Sequence, residues 1–289
     1  MANKCLIIIV FLFFTCAGSA LAGVQVDAPE STSLGLPFYV NISASELASV
    51  RVSWLGKTIS PKVVRGGVAV LLGVGLSTEA GAHQLKITAQ SGGETHEVSR
   101  TITVKSRQYP EQHLEVARKM VHLSQEQLDR HYKEKGRTRT VLASSYPERF
   151  WECPFERPVP GDVTSAFGLR RFFNGEPRKP HSGVDLRAAE GAPVKAMAAG
   201  VVALADEHYF SGNVVYLDHG QGVVSMYCHL SEIKVEEGRF VSRGEVIGLA
   251  GSTGRVTGPH LHFGVGVLGQ MIDPLELLNA GCPKVWEGS

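Results

Sequence analysis

Two histidines one residue apart are the clearest chemical feature of the sequence. His260 and His262 stand in the stretch TGPHLHFGV, residues 257–265, directly after a Gly-Pro pair. Proline disfavours a helix continuing into the pair, and in a strand residues i and i+2 point to the same side. The pattern therefore predicts that both imidazoles face one site, while Leu261 and Phe263 pack into the interior.

A second stretch, PHSGVDLR at residues 180–187, adds a histidine and a carboxylate. Gly183 and Val184 favour a strand, which would place His181 and Asp185 on one face with the glycine between them. Catalytic zinc sites take three protein ligands from nitrogen and oxygen donors and leave a fourth position for water. The residues alone therefore predict a zinc site made by this pair and one of the two later histidines, without deciding which.

The third candidate is His229, in the stretch SMYCHLS at residues 225–231. Alternation along the preceding run predicts that His229 shares a face with Tyr227, opposite Met226 and Cys228. It would then lie at the end of a strand, a position that favours a role in catalysis.

Two further histidines lie in the same region. His219 is in the sequence DHGQG, which is typical of a hairpin turn, and we predict a turn residue there. His208 precedes two aromatic residues in a loop and either lines the groove or is an ordinary loop residue.

Together these motifs resemble the signature of the lysostaphin/LytM-type zinc peptidases, which cleave peptide bonds in bacterial peptidoglycan. The resemblance runs from about residue 155 to residue 278. It includes the segments TSAFGLR, AAGVV, Gly-Asn and YCHL, at residues 164–170, 198–202, 212–213 and 227–230.

The resemblance implies a role for each candidate residue. His181, Asp185 and His262 would hold Zn²⁺, while His260 and His229 would flank the attacking water and the scissile carbonyl. One departure is Cys228, where alanine is usual in such proteins; its side chain is expected to point away from the site.

The implied function is that of a secreted zinc metalloendopeptidase that hydrolyses stem peptides or cross-links of peptidoglycan. One alternative is an inactive domain of the same fold that binds the wall and activates another hydrolase, although every motif position is retained. Another is a structural zinc site in an adhesion module. Structural sites usually fill all four positions with protein ligands, which the two leftover histidines argue against.

The elements that must position these residues are mainly β. Residues 151–289 are glycine-rich and contain many short β-rich runs, which predict an all-β LytM-type peptidase domain. Alternating runs and turn signals over residues 23–106 predict an immunoglobulin-like β-sandwich.

Residues 107–150 are predicted to form a helical and irregular connector. Pro110 opens a helix-favouring segment, and the sequence SQEQ from Ser124 fits a capping box for a second short helix. That helix is expected to end near Gly136.

Residues 1–22 have a charged start, a short apolar run and small residues before the end, which predict a secretory signal peptide. An uncleaved anchor helix is the alternative. Export to the periplasm, the cell wall or the medium would follow. Of the later cysteines, Cys153 and Cys282 bracket the C-terminal region and suggest a disulfide between its ends, whereas Cys228 is expected to be a buried free thiol.

The charge balance says little about partners other than the wall. There are 29 Lys and Arg against 28 Asp and Glu, which gives no basic footprint for nucleic acid. No later stretch is apolar for long enough to span a membrane. Peptidoglycan is therefore the one predicted partner, and the oligomeric state stays open.

Overall fold

The computed structural model describes residues 23–115, 124–143 and 146–283. The predicted signal peptide at residues 1–22 lies outside the described residues. Within them, the fold is mainly β, as predicted, and none of their helices is long and apolar enough to cross a membrane.

The N-terminal part is a sandwich of two sheets, which confirms the predicted architecture. One sheet has the order β1-β3-β6 and the other β2-β8-β7-β4-β5. Alternate residues such as Val40, Ile42 and Val52 are fully buried between them, because side chains in a strand point to the two faces in turn. The strands are β1 (Gln25–Asp27), β2 (Ser31–Ser33), β3 (Pro37–Ser43), β4 (Leu47–Trp54), β5 (Lys57–Ile59), β6 (Gly67–Gly73), β7 (Gly81–Ser91) and β8 (Glu94–Lys105).

The connector differs from the prediction at both ends. The segment after Pro110 begins as strand β9 (Glu111–Leu114), because it pairs in parallel with a strand of the peptidase part. Helix α1 (Gln125–Ala143) starts with the predicted capping box: the Gln127 amide donates to Ser124 Oγ at 3.3 Å, and the Ser124 amide donates to Gln127 Oε1 at 3.0 Å. It passes through Gly136, the predicted end.

The C-terminal part is built on a ten-stranded sheet, as the predicted all-β domain requires. Its main path is β10-β13-β20-β17-β16-β15-β18, and β14, β19 and β21 pair beside it, while β9, β11 and β12 form a small separate sheet. The elements are β10 (Val163–Ser165), β11 (Arg170–Phe173), β12 (Glu176–Pro177), β13 (Val184–Arg187), β14 (Pro193–Lys195), β15 (Gly200–His208), β16 (Gly212–Asp218), β17 (Val223–Ile233), β18 (Phe240–Val241), β19 (Val246–Ala250), β20 (His260–Val267), β21 (Gln270–Ile272) and α2 (Pro274–Asn279).

The two faces of this sheet carry different kinds of side chain. Residues directly opposite each other on antiparallel strands share a face. Tyr227 pairs with Phe263, and both rings are fully buried in the main core. His262 pairs with Asp185 on one side and with Cys228 on the other, so these three side chains form a row on the opposite face.

Helix α1 covers another part of that second face. Val141 packs in a cluster with Tyr216 and Met226. Glu134 is buried and accepts hydrogen bonds from the backbone amide of Tyr209, at 3.0 and 3.1 Å to its two oxygens. The helix is therefore part of the packing of the peptidase sheet and not only a spacer.

The sandwich and the peptidase part are joined by direct packing. Leu71 of β6 lies in the main peptidase core, and the Asp273 amide donates to the Gly35 carbonyl at 2.7 Å. The predicted disulfide between Cys153 and Cys282 is present, with the Cα atoms 5.5 Å apart, and Cys228 is a buried free cysteine as predicted.

Candidate metal and catalytic site

Three side-chain atoms from different segments converge at one point. His181 Nε2 lies 3.0 Å from His262 Nδ1 and 3.1 Å from Asp185 Oδ1, and His262 Nδ1 lies 2.8 Å from the same carboxylate oxygen. Zinc binds nitrogen and oxygen ligands at about 2.0–2.2 Å, so three donors this close to one another fit a single small ion. Among the described residues, these three form the group of histidine and acidic side chains that could hold a metal ion.

Strand register brings two of these residues together. Asp185 on β13 is the direct partner of His262 on β20. His181 precedes β13 in a non-strand segment, so the predicted continuous strand from His181 to Asp185 is wrong. Its position is set by backbone hydrogen bonds instead: its amide donates to the Leu169 carbonyl at 3.0 Å, and its carbonyl accepts from the Gly168 amide at 2.8 Å.

Backbone carbonyls orient three of the four imidazoles. A carbonyl oxygen can only accept, so the nitrogen facing it carries the proton and Nε2 keeps its lone pair. The Nδ1 contacts are His181 to Ala166 at 2.9 Å, His229 to Thr253 at 3.0 Å and His260 to Gly258 at 2.9 Å. Each ring therefore presents a lone pair as a metal ligand or a proton acceptor.

Asp185 is held as a carboxylate. Burial raises its pKa, but hydrogen bonds with His181 and His262 outweigh that effect and hold the pKa well below its usual range. Arg171 Nη2 donates to Asp185 Oδ2 at 3.3 Å and to Ser165 Oγ at 2.7 Å. Burial lowers the pKa of His262 although a carboxylate lies beside it, which favours the neutral ring that metals bind.

His229 reaches the same face through an irregularity in β17. The register of β16 and β17 shifts around it, and its φ is +65°, in the left-handed region. In a regular strand it would share the buried face of Tyr227, as the alternation predicted. The bulge turns the ring outward instead, so that its centroid lies 4.9 Å from that of His260 and 6.1 Å from that of His262. It also lies inside the strand, not at its end.

His229 is suited to accept a proton. Burial is the main cause that lowers its pKa, to about 4, and the neighbouring His262 adds to the effect. The ring is therefore neutral near pH 7. The Nε2 of His260 lies 3.9 Å from Asp185 Oδ1, which places that ring at the edge of the ligand set.

The side chain of Cys228 points in a different direction from the one predicted. It was expected to point away from the site, but its pairing with His262 puts it on the face of His262 and Asp185. Burial raises the pKa of the thiol to about 12, and the Asp185 carboxylate raises it further. The thiol therefore stays protonated beside the candidate metal site, in a packed cluster with Met226.

His208 and His219 lie outside the groove. His208 is buried, with Nε2 3.6 Å from Asp206 Oδ2, so the possibility that it lines the groove is wrong. His219 begins the turn between β16 and β17, as predicted, and is fully buried. Its Nδ1 lies 2.8 Å from the Ala199 carbonyl and its Nε2 lies 2.7 Å from Ser225 Oγ.

All five predicted site residues line one groove of about 780 Å³. The sequence reasoning missed its arginines, at positions 171, 187 and 255, and Phe210, which has the Arg255 guanidinium 4.1 Å from its ring centroid. Arg171 directly follows the TSAFGLR segment, but no spacing rule singles it out. The described residues that line the groove are position 112 and positions within 164–262, so the sandwich contributes none of them.

Comparison with known proteins places this site in a family. The model of peptidase family M23 matches residues 179–274. A Pseudomonas aeruginosa protein whose crystal structure is described as a peptidase M23 is 30% identical, with a TM-score of 0.65, and the match covers 84% of this chain and 94% of that one. The chain belongs to peptidase family M23.

Two curated relatives share the C-terminal part. The peptidoglycan DD-endopeptidase ShyA of Vibrio cholerae is 42% identical over 122 residues, which are 42% of this chain and 28% of that protein. The DD-carboxypeptidase/endopeptidase Mpg of Neisseria meningitidis is 41% identical over 115 residues, 40% of this chain and 26% of that protein. The matched region thus spans little more than a quarter of either relative.

Proposed function

We propose that the protein is an exported zinc metalloendopeptidase that hydrolyses peptide bonds in bacterial peptidoglycan. The observation that carries the proposal is the set of three donor atoms within 3.1 Å of one another, beside two more imidazoles in the same groove. The name of the relative ShyA, a peptidoglycan DD-endopeptidase, supports the substrate, and the name of Mpg, a DD-carboxypeptidase/endopeptidase, supports a peptidase.

In this proposal His181, Asp185 and His262 hold the zinc. When bound, zinc would supply a Lewis acid and lower the pKa of water towards about 7. The donor set fits it, because it combines two imidazole nitrogens with one carboxylate oxygen and is oriented by further hydrogen bonds to Ala166 and Arg171.

His229 and His260 do the proton chemistry. Both donate from Nδ1 to backbone carbonyls, so both present Nε2 to the groove as an acceptor. One of the two accepts the proton of the attacking water, and the resulting imidazolium stabilises the negative charge on the carbonyl oxygen and then returns the proton to the leaving amine.

Location and organisation belong to the same proposal. Residues 1–22 act as a signal peptide, so that the mature protein starts near Gly23 and meets its substrate in the periplasm or at the wall. The sandwich over residues 23–106 and the connector over residues 107–150 support the peptidase domain at residues 151–289 from outside the groove.

Two variants test the assignment. His262→Ala should lose both zinc and hydrolysis of purified peptidoglycan, because it removes a ligand. His229→Ala should keep zinc and lose hydrolysis, because it removes a proton acceptor and no metal ligand. Metal content and release of soluble muropeptides are measured on both proteins.

The alternative, an inactive domain that activates another hydrolase, makes a different prediction. The wild-type chain would then release no muropeptides even when loaded with zinc. Wild-type rates in the His229→Ala variant would contradict the assigned role of that residue alone.

A further inference from the structure

The groove carries a strong excess of positive charge. Among the described residues that line it there are three guanidinium groups, of Arg171, Arg187 and Arg255, and a single carboxylate, of Asp185. That carboxylate belongs to the metal-ligand set and already contacts Arg171. The groove therefore favours an anionic substrate.

Two of the three arginines are engaged by the protein. Arg171 donates to Asp185 and to Ser165, and the Arg255 guanidinium stacks on the ring of Phe210. Arg187 differs from them. It is exposed, and its guanidinium makes no hydrogen bond or ion pair with residues 23–115, 124–143 and 146–283.

The position of Arg187 is fixed by the strand that bears it. It stands two residues beyond Asp185 on β13, so the two side chains share the groove face. Its direct partner on β20 is His260, and its amide donates to the Asp162 carbonyl at 2.8 Å. A guanidinium is thus presented next to the imidazole that attends the scissile bond.

We infer that Arg187 binds a carboxylate of the substrate, on the residue that adjoins the scissile bond on the His260 side. The inference rests on the proposed peptidase function and names its substrate class as an acidic peptide. A guanidinium offers two parallel N–H donors that match the two oxygens of a carboxylate. An uncharged amide at the same place offers one acceptor and no charge.

A matched pair of substrates tests this. The first is a cross-linked muropeptide dimer in which the diaminopimelate carboxyl next to the cross-link is free, and the second is the same dimer with that carboxyl converted to an amide. The wild-type chain should cleave the acid with a kcat/KM about tenfold or more above that of the amide. Arg187→Gln should lose this preference by losing rate on the acid alone.

A remote arginine serves as the control. Arg51 is exposed on β4 of the sandwich, so Arg51→Gln changes the net charge equally and should keep the full preference. Equal cleavage of both dimers by the wild-type chain would overturn the inference. So would a loss of rate on acid and amide alike in Arg187→Gln, since that would mean a role in positioning.

Binding separates this inference from the proposed function. Affinities of the two dimers are measured by calorimetry for His229→Ala and for His229→Ala/Arg187→Gln, which should not turn them over. The acid should bind about tenfold or more tightly than the amide to the first protein and equally to the second. If the wild-type chain cleaves neither dimer, the peptidase proposal fails, and the binding difference alone decides whether Arg187 recognises a carboxylate.

Discussion

At the scale of single residues, Gly183 controls how closely the first motif approaches the second. A Cβ atom at this position would lie 2.4 Å from the Phe263 carbonyl oxygen and 2.9 Å from the ring of His262. Neither contact is possible without movement, since one partner is backbone and the other is the ring that we propose as a zinc ligand. The glycine between His181 and Asp185 is therefore needed for space, beyond the strand preference that the sequence suggested.

Gly183→Ala should weaken zinc binding without removing any ligand. The added methyl group displaces the His262 ring, and changes that disturb the support of a ligand typically reduce metal affinity about 10- to 100-fold. Competition with a chelator measures the affinity. Gly136→Ala is the matched control, because a Cβ there meets no atom within 4 Å; it should leave zinc binding unchanged and stabilise helix α1 by about 0.5–1 kcal/mol. Unchanged zinc affinity in Gly183→Ala would contradict the argument.

The sequence predicted which residues form the site better than it predicted which residues contact one another. The i, i+2 spacing correctly placed His260 and His262 on one face, because β20 is a regular strand there. Alternation also placed Cys228 correctly on the face of Met226, opposite Tyr227, but it failed for His229, because the bulge in β17 turns that ring to the other face. Arg171 contacts Asp185 from another strand, and strand pairing places Arg187 beside His260, and no local pattern in the sequence records either neighbour.

At the scale of elements, a buried polar chain holds the turn between β16 and β17 to the core. The His219 ring bridges the Ala199 carbonyl and Ser225 Oγ, and Ser225 Oγ lies 3.0 Å from the hydroxyl of Tyr227. That hydroxyl accepts from the Met197 amide at 2.9 Å. The sequence predicted only a turn here, because the partners come from distant strands.

The buried imidazole of His219 should make the free energy of unfolding depend on pH. Burial lowers the pKa of His219 to about 4, against about 6.5 in the unfolded chain. Between these values the unfolded state binds a proton that the native state does not. The contribution of neutral His219 to the free energy of unfolding is therefore fully present above pH 6.5. It is lost as the pH falls towards 4, by about 3 kcal/mol in total.

His219→Gln should flatten this part of the profile. The free energy of unfolding is measured by chemical denaturation from pH 7 to pH 4 on both proteins. The pKa of the adjacent Asp218 is raised to about 6 by burial and has the opposite effect, but both proteins retain it, so the difference between the two profiles isolates His219. Parallel profiles over that range would show that His219 is not the group responsible.

At the scale of the whole molecule, the sandwich packs behind the peptidase sheet and leaves the groove open. A Cβ at Gly73 of β6 would lie 2.5 Å from Ile272 Cγ2, and Leu71 is 1% exposed within the peptidase core. The alternation of apolar and polar residues correctly predicted β structure in both parts of the chain. It carries no information on how the sandwich packs against the peptidase sheet. The same limit applies to α1, whose contacts with β15 were not foreseen.

The disulfide closes the C-terminal part at its two ends. Cys153 precedes the first strands of the peptidase sheet and Cys282 follows α2, 129 residues later. A cross-link over so long a loop removes much of the freedom of the unfolded chain. Its contribution should therefore appear in global stability and not in the geometry of the groove.

Cys153→Ser/Cys282→Ser should lower the free energy of unfolding by about 2–5 kcal/mol and leave zinc binding at 25 °C intact. Denaturation is compared with and without a phosphine reductant. The reductant should destabilise the wild-type chain to the level of the double variant and have no effect on the variant, since the remaining Cys228 is a free thiol in both. Wild-type stability that does not respond to complete reduction would mean that packing between the sandwich, α1 and the sheet already holds these ends together.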